Sequence, residues 1–319
     1  MDEWLQSVRH KHKRTIARFI TQVENGETER MERLKQLYPY LGHAHLIGFT
    51  GPPGSGKSTL VDSFIQHLRQ QNYTVAVIAV DPTSPFTGGA ILGDRVRMTR
   101  HALDEGVFIR SMGSRGSLGG LSRATKEAVH ILDAAGFDVV LIETVGVGQA
   151  ELDIMHIADT VALVLNPGDG DAVQVFKAGI MEIADLFIVN KADLPGTKRL
   201  VSDIEELLHL IEKAGEWLPP IVETVGNREN GIPVLWDKVQ AHKRFLRQRG
   251  SWEKKRSARR GLEVKEIMEE HIQTLLQEIC ETPAYQAELQ HMLSNQQDPH
   301  QFAQKWFKTL LKKAYESGR

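Results

Sequence analysis

Cysteine is nearly absent from this chain: one residue, Cys280, occurs among 319. A lone cysteine cannot form a disulfide within the chain, and a thiolate-rich metal site needs several cysteines in one subunit. The sequence therefore excludes a disulfide-stapled fold and a cysteine-ligated metal centre built from one chain.

An excess of one charge sign is also missing. Lys and Arg together number 39 and Asp and Glu 41, which gives a formal net charge of −2. So small a net charge creates no global field that would draw the chain to nucleic acid or to an anionic membrane. The cationic run at residues 254–260 favours a solvated helical linker, and no nucleic-acid partner is expected.

Long hydrophobic runs are absent as well. The longest apolar runs, such as residues 75–80, have the length of a strand, far short of the roughly 20 residues of a membrane-spanning helix. Residues 1–5 lack the basic-then-apolar pattern of a secretory signal. We therefore expect no membrane partner, and a cytoplasmic enzyme or switch protein fits best.

Helical periodicity dominates both ends of the chain. Residues 1–42 predict a helical N-terminal extension, a pair of packing helices marked by Ile16, Phe19, Ile20 and Val23. Residues 251–319 predict a helix-rich C-terminal arm that is interrupted near its prolines.

The region between them, residues 43–250, alternates short β-rich runs with helical stretches. Several runs are almost continuously apolar, which indicates strands buried on both faces and hence an α/β fold with a mostly parallel sheet between helices. We predict strands at residues 45–50, 74–80, 107–112, 139–143, 160–165, 186–190 and 221–224. Helices are predicted near residues 57–71, 121–135, 171–184, 198–214 and 233–248.

A phosphate-binding loop follows the first predicted strand. Residues 51–58 match the pattern G-x-x-x-x-G-K-[ST], and a predicted helix follows them, which is the context that gives the pattern meaning. Glycines let backbone N–H groups wrap a phosphate, and the helix N-terminus adds positive partial charge. The predicted nucleotide contacts here are Gly51, Pro52, Pro53, Gly54, Ser55, Gly56, Lys57, Ser58 and Thr59. Lys57 would reach the β- and γ-phosphates, and Ser58 would give its hydroxyl to Mg²⁺.

A guanine-reading tetrapeptide, Asn190-Lys191-Ala192-Asp193, follows the predicted strand at 186–190. The Asp193 carboxylate can accept two hydrogen bonds from guanine, whereas adenine lacks that donor pair. The Lys191 stem can lie along the base, and Asn190 braces the loop. A further backbone contact to the base is expected near Val225, where the usual Ser-Ala pair is replaced. These features predict GTP as the nucleotide.

Several acidic residues end strands or lie in the loops that follow them. Each alone is also explained as a turn or helix cap, but together they suggest a magnesium site. We expect Ser58 and Asp94 to ligate Mg²⁺, with Asp81 and Glu143 in direct or water-mediated support. The predicted catalytic residues are thus Lys57, Asp94 and Glu143, and Gly146 is a further predicted nucleotide contact.

Val147 occupies the position at which Ras-type GTPases carry a water-orienting glutamine. Because valine cannot polarise water, we expect slow hydrolysis that depends on groups supplied by another segment or by a partner.

In the segment at 168–177, polar residues recur every three positions, which would place them on one face of a helical turn. Asp171, Gln174 and Lys177 indicate either an N-capped helix with a solvated face or a third mobile loop that responds to nucleotide. The residues leave both interpretations open.

Taken together, these motifs resemble the methylmalonyl-CoA mutase-associated GTPases of the MeaB/ArgK type. The resemblance rests on residues 51–59, 81–85, 89–95, 114–121, 143–149 and 190–193, which follow one another in family order. It implies a homodimeric GTPase chaperone that gates adenosylcobalamin loading into an acyl-CoA mutase and protects that mutase. It also implies that the C-terminal arm dimerises and that Asp171, Gln174 and Lys177 form a switch.

Two other functions compete with this interpretation. A metallochaperone of the nickel-insertion kind needs His or Cys ligands, but His43 and His45 precede a core strand and are interpreted as packing or surface residues. A kinase, as in the arginine/ornithine transport label of the family, needs a phosphate acceptor site, and no motif identifies one.

Overall fold

The computed structural model describes residues 2–27, 29–81, 99–113, 123–144, 153–167, 180–211, 216–228 and 230–316. These residues divide into two compact units, Met1–Glu253 and Lys254–Arg319. The first unit contains the sheet, and the second is helical.

A seven-stranded sheet organises the described part of the first unit. Its strands lie side by side in the order β3-β2-β4-β1-β5-β6-β7, and every neighbouring pair is parallel. The strands are β1 (His45–Thr50), β2 (Val75–Asp81), β3 (Val107–Gly113), β4 (Val139–Thr144), β5 (Thr160–Leu165), β6 (Leu186–Asn190) and β7 (Ile221–Thr224). The α/β class predicted from the sequence is confirmed, and the described sheet is wholly parallel.

The central strands are buried along their whole length. All six residues of β1, of β4 and of β5 are buried, because each strand has a neighbour on both edges and helices on both faces. This double burial is the physical reason for the continuous apolar runs in the sequence.

The helices cover the two faces of the sheet. On one face lie α1 (Glu3–Arg9), α2 (Lys13–Glu24), α3 (Arg30–Leu37), α5 (Arg123–Ala134) and α6 (Thr197–Ile211), whose apolar side chains pack on the strands. On the other face lie α4 (Lys57–Gln70) and α7 (Ile232–Gln248). The core is therefore two apolar layers separated by the sheet.

The N-terminal extension has three α-helices where the sequence pattern predicts a pair. A turn separates α1 from α2 because Lys11 adopts a left-handed φ of 57°, which a helix interior does not accommodate. Ile16, Phe19, Ile20 and Val23 of α2 are all buried against the same apolar cluster as the sheet, so the extension packs as part of the first unit.

The predicted helix at residues 171–184 lies mostly outside the described residues. Its described end, Ile180–Ile183, is a 3₁₀ turn. Between β5 and β6, the structure therefore describes only residues 166–167 and 180–185.

The second unit consists of the greater part of α8 (Ser251–Cys280) with α9 (Pro283–Ser294) and α10 (Pro299–Glu316). Proline at the first position of α9 and of α10 matches the breaks predicted near these residues, because proline starts a helix readily but cannot continue one. Leu275, Ile279 and Leu310 form its small buried core.

The longest described helix, α8, has enough residues to cross a bilayer but not the apolar composition. The 30 residues of α8 include many charged side chains, and no helix within the described ranges is long and apolar enough to cross a bilayer.

Candidate functional site

The candidate site lies at the carboxyl edge of the sheet, where β1 ends between β4 and β5. The register places Phe49 opposite Glu143 on one side and Thr50 opposite Leu163 on the other. Residues 51–56 leave β1 and lead directly into α4. Loops that follow parallel strands at such an edge are where α/β proteins bind ligands.

Two glycines make this loop possible. Gly51 has a φ of +137°, and a Cβ there would lie 2.1 Å from the Val164 carbonyl oxygen of β5. Gly56, the N-cap of α4, has a φ of +85°, and a Cβ there would lie 2.5 Å from the side-chain nitrogen of Asn190. Any other residue at either position would add left-handed strain to a direct clash.

The Lys57 ammonium is held across the loop. Its Nζ donates to the carbonyl oxygens of Gly51 at 2.7 Å and of Pro52 at 2.9 Å. Lys57 is 6% exposed, so its charge lies within the mouth of the loop and close to its backbone. A cation held in this way can move onto an arriving phosphate without leaving the loop.

Ser58 and Glu143 are joined directly. The Ser58 Oγ donates to the Glu143 Oε1 at 2.7 Å, and both residues are buried. Asp81 ends β2, with its backbone opposite Gly113, and Val80 lies opposite Thr144. The backbone thus brings the ends of β2 and β4 to the same edge as the loop, while the position of the Asp81 side chain is outside the described residues.

Asn190 links three segments of the site through one amide. Its Nδ2 donates to the Ser55 carbonyl oxygen at 2.8 Å, which supports the phosphate loop. Its Oδ1 accepts from the Thr224 hydroxyl and from the Gly226 N–H, both at 3.1 Å. Because Asn190 is 2% exposed, this connection is protected from water and holds the phosphate loop and the loop after β7 in a fixed relation.

An open cavity of about 280 Å³ lies beside this amide. Lys191, with a φ of 55°, projects over it and donates from Nζ to the Gly54 carbonyl oxygen at 2.7 Å, while Asp193 is exposed at its rim. The lining residues are Gly56, Thr59, Asn190, Lys191, Asp193, Leu194, Val225, Gly226 and Asn227. The sequence motifs missed Leu194 and Asn227, which carry no pattern of their own and are signalled only by their proximity to Asp193 and Val225.

The backbone of Val225 is engaged within its own loop. Its N–H donates to the Asn230 carbonyl oxygen at 3.1 Å, and the next N–H, of Gly226, donates to Asn190. The position predicted for a backbone contact to the base therefore lines the cavity with its N–H already bonded. Asn227 is the following residue of the lining.

Several sequence-predicted site residues lie outside the described residues. These are Asp94, Gly146, Asp171, Gln174 and Lys177, together with Val147. The described part of the candidate site consequently consists of the phosphate loop, Glu143 and the cavity beside Asn190.

His45, which we interpreted as a packing or surface residue, is wholly buried at the opposite edge of the sheet. Its Nε2 lies 2.9 Å from the Thr160 Oγ1, which in turn lies 2.9 Å from the Nδ1 of His242. His43 is exposed. Neither histidine belongs to the candidate site.

Comparisons with known proteins identify relatives of this chain. A family model described as methylmalonyl Co-A mutase-associated GTPase MeaB matches residues 16–282. A candidate GTPase of Pyrococcus horikoshii is 53% identical over 271 residues, covering 84% of this chain and 86% of that protein. The GTPase ArgK of Escherichia coli is 38% identical over 245 residues and covers 74% of each chain.

More distant relatives carry other names. The mouse protein named methylmalonic aciduria type A homolog, mitochondrial, is 32% identical over 267 residues, covering 82% of this chain and 64% of that protein. Among solved structures, one described as LAO/AO transport system kinase is similar with a TM-score of 0.71 and 27% identity, covering 97% of both chains.

Proposed function

The chain belongs to the MeaB family of P-loop GTPases, and from that premise we propose that it is a GTP-driven chaperone of an adenosylcobalamin-dependent acyl-CoA mutase. In this proposal GTP binds with Mg²⁺ at the carboxyl edge of the sheet. Hydrolysis of GTP would gate the loading of the cofactor into the mutase and the protection of the mutase. The protein would carry out this work in the cytoplasm.

The Asn190 amide is the observation that carries nucleotide binding. It bonds the phosphate loop at Ser55 and the base loop at Thr224 and Gly226. A single nucleotide that fills the cavity beside Asn190 would therefore touch phosphate-binding and base-binding segments that are already fixed with respect to each other. Such preorganisation lowers the entropic cost of binding.

Guanine would be read by Asp193 and Lys191. The exposed Asp193 carboxylate at the rim of the cavity can accept from the paired N–H groups of guanine, and the Lys191 stem covers the cavity on its way to Gly54. Since the N–H groups of Val225 and Gly226 are already bonded, Asn227 is the residue of that loop with which we associate the guanine oxygen.

The donor set around the phosphate loop fits Mg²⁺. The Ser58 hydroxyl and the Glu143 carboxylate are hard oxygen donors 2.7 Å apart at the end of β1, and the Ser55 hydroxyl is buried with no hydrogen-bond partner among the described residues. Bound Mg²⁺ neutralises charge on the β- and γ-phosphates. Ser58 would hold it, Glu143 would orient that hydroxyl or a water, and Lys57 would move from its carbonyl partners onto the phosphates.

Homodimer formation through the C-terminal arm is part of the same proposal. On α8, Val264, Met268, Ile272 and Leu276 recur every four residues, and each is between 46% and 60% exposed. On α10, Phe307, Leu311 and Tyr315 recur in the same way. Exposed apolar stripes of this kind are typical of surfaces that are covered in an assembly.

Base recognition is tested by the substitution Asp193→Asn. We expect GDP and GTP affinity to fall by about 100-fold and xanthosine diphosphate to bind better than GDP, because an amide at this position matches the xanthine edge. Isothermal titration with each nucleotide measures this. The matched control is Asp203→Asn, which removes an exposed carboxylate from α6. Unchanged GTP affinity in Asp193→Asn would exclude the base-reading role.

The chaperone role is tested by phosphate release from GTP. We expect turnover on the order of 10⁻³ per second for the protein alone, in line with GTPases that lack a completed catalytic set. Addition of an adenosylcobalamin-dependent acyl-CoA mutase from the same cell should accelerate it about tenfold or more. If no such mutase changes the rate, or if label from γ-phosphate passes to arginine or ornithine, the chaperone proposal fails.

A further inference from the structure

A cationic segment of the N-terminal extension divides into two sets of side chains. Between residues 9 and 18 the chain carries five Lys and Arg residues. Three of them contact residues that lie far along the chain. Arg9 donates to the Ala134 carbonyl oxygen at 2.8 Å, and Lys13 donates to the Asp104 carbonyl oxygen at 2.6 Å. The Lys11 ammonium lies 5.7 Å from the centre of the Phe137 ring. These three have structural partners.

Arg14 and Arg18 form the other set. They lie one turn apart on the same side of α2 and are exposed, and among the described residues neither side chain makes an ion pair or a hydrogen bond. Like charges at this spacing destabilise a helix by a few tenths of a kcal/mol. A ligand of opposite charge would reverse the sign of that interaction.

Both arginines line a cavity of about 420 Å³ between α1, α2 and α3. Its other lining residues are Glu3, Trp4, Ser7, Thr15, Phe19, Gln22 and Arg33. Three guanidinium groups thus face one carboxylate, and two hydroxyl groups and an amide complete the polar part of the wall. The volume lies in the range of sites that hold small organic molecules.

Arg33 is fixed in this wall. Its guanidinium carbon lies 5.3 Å from the centre of the Trp4 ring and 6.0 Å from that of Phe19, and its Nη1 donates to Gln22 at 2.5 Å. A guanidinium stacked on aromatic rings has already lost much of its rotational freedom, so it can bind an oxyanion at a low entropic cost. The remaining N–H groups of its planar fork match two oxygens of one phosphate or carboxylate.

We propose that this cavity, the arginine cavity, is a second ligand site, which binds a small organic polyanion carrying phosphate groups or several carboxylates. Arg33 is the fixed anchor, and Arg14 and Arg18 close onto the anion from the exposed side. The hydroxyl groups of Ser7 and Thr15, which lie 2.8 Å apart, face the same space and can donate to a further oxygen. The site is separate in sequence and in position from the nucleotide loops.

The experiment uses the full chain saturated with GDP in a buffer without free divalent cations, so that the phosphate loop is occupied and neither anion can give heat by chelating Mg²⁺. Pyrophosphate and citrate are titrated separately by isothermal calorimetry; they represent the phosphate and the carboxylate source of the same charge. We expect at least one of them to bind at one site with a Kd below about 1 mM. Binding of pyrophosphate alone assigns a phosphate compound, and binding of citrate alone assigns a polycarboxylate.

The variants locate the binding. Arg14→Gln with Arg18→Gln should weaken it about tenfold or more, whereas Arg33→Lys, which keeps the charge and loses the fork, should weaken it about three- to tenfold. The matched control is Arg199→Gln with Arg244→Gln, which removes two exposed helical arginines elsewhere and the same total charge. The proposal is overturned if neither anion binds, if the Arg14 and Arg18 double variant binds as tightly as the natural chain, or if the control loses as much affinity. GDP affinity should be unchanged in the double variant, so this outcome does not depend on the nucleotide site.

Discussion

At the scale of single residues, Asn190 has the largest consequence for the site. Its amide makes hydrogen bonds with Ser55, Thr224 and Gly226, and it lies away from solvent. We therefore propose that this side chain acts on nucleotide binding chiefly by positioning two loops.

We expect Asn190→Ala to lower the free energy of unfolding by about 1–3 kcal/mol, because buried partners lose their hydrogen bonds. GDP affinity should fall by about 10- to 100-fold for the same reason. Thr224→Val removes only one of these bonds and should give a smaller change in both. Urea denaturation and titration with a fluorescent GDP analogue measure the two effects. Equal losses in the two variants would contradict the bridging role.

Asp104 provides a pH-dependent contribution away from the site. Its carboxylate oxygens accept from Arg69 Nε at 2.9 Å and Nη2 at 3.0 Å. The hydrogen bonds from the Arg69 guanidinium lower the pKa of Asp104 below its ordinary value near 4, and the Gly106 N–H adds to this effect. The pair ties α4 to the loop before β3.

A lowered pKa in the folded state means that the unfolded chain takes up the proton first as the pH falls. The stabilisation from Asp104 is thus fully present above pH 4 and is lost as the pH falls through the lower, folded pKa. We expect Asp104→Asn to reduce stability at pH 7 by about 1 kcal/mol or less, since the pair is partly exposed, and to have a progressively smaller effect as the pH falls below 4. Denaturant titrations at several pH values test this, with Asp203→Asn, which removes an exposed carboxylate from α6, as the control.

At the scale of elements, the three N-terminal helices belong to the core of the first unit. Ile20 is fully buried in the same cluster as Ile78, Val140 and Ile142 of the sheet. The extension is consequently a structural layer, and removal of one buried side chain from it should be felt by the whole unit.

Ile20→Ala should lower the free energy of unfolding by about 2–5 kcal/mol, the usual range for truncating a buried aliphatic side chain. The neighbouring Thr21, which is exposed, is the control: Thr21→Ala should cost less than about 1 kcal/mol. Chemical denaturation followed by circular dichroism measures both. A loss below 1 kcal/mol for Ile20→Ala would mean that the extension unfolds separately from the sheet.

The strands were the elements that the sequence predicted best. β1, β5, β6 and β7 begin and end at the predicted residues, β3 and β4 each extend one residue further, and β2 begins and ends one residue later than predicted. Double burial makes the central strands β1, β4 and β5 almost continuously apolar, and the sequence displays this signal directly. The break between α1 and α2 could not be predicted from local pattern. The left-handed Lys11 is held by its own N–H bond to the Val8 carbonyl, by the His12 N–H bond to the Ser7 carbonyl, and by the contact of its ammonium with the Phe137 ring.

The candidate site was predicted less completely. The phosphate loop and the tetrapeptide at 190–193 are contiguous patterns, so the sequence displays them directly. The hydrogen bonds that Asn190 makes with Ser55 and Gly226 connect residues that are far apart along the chain. They depend on the order of strands in the sheet. No local pattern encodes such an arrangement.

At the scale of the whole molecule, the exposed stripes on α8 and α10 make a test of dimerisation direct. Ile272→Glu combined with Phe307→Glu places charges in the middle of both stripes. We expect the natural chain to sediment as a dimer at micromolar concentration and this variant as a monomer, because buried charges without partners cost several kcal/mol.

The control for this prediction is Leu210→Glu, which places the same charge at a leucine that is 81% exposed on α6 of the first unit. That variant should sediment like the natural chain. Monomeric behaviour of the natural chain, or dimers that survive the double substitution, would contradict dimerisation through the second unit.

The strand order also has a consequence for synthesis of the chain. β1 emerges from the ribosome before any other strand, yet its two neighbours are β4, paired from Val139, and β5, paired from Thr160. At about 5–20 residues per second, translation leaves β1 without either neighbour for roughly 5–20 s. During that interval an apolar strand with two open edges precedes the loop that will bind nucleotide. The loop that follows β1 therefore cannot take its final place until β4 and β5 have been synthesised.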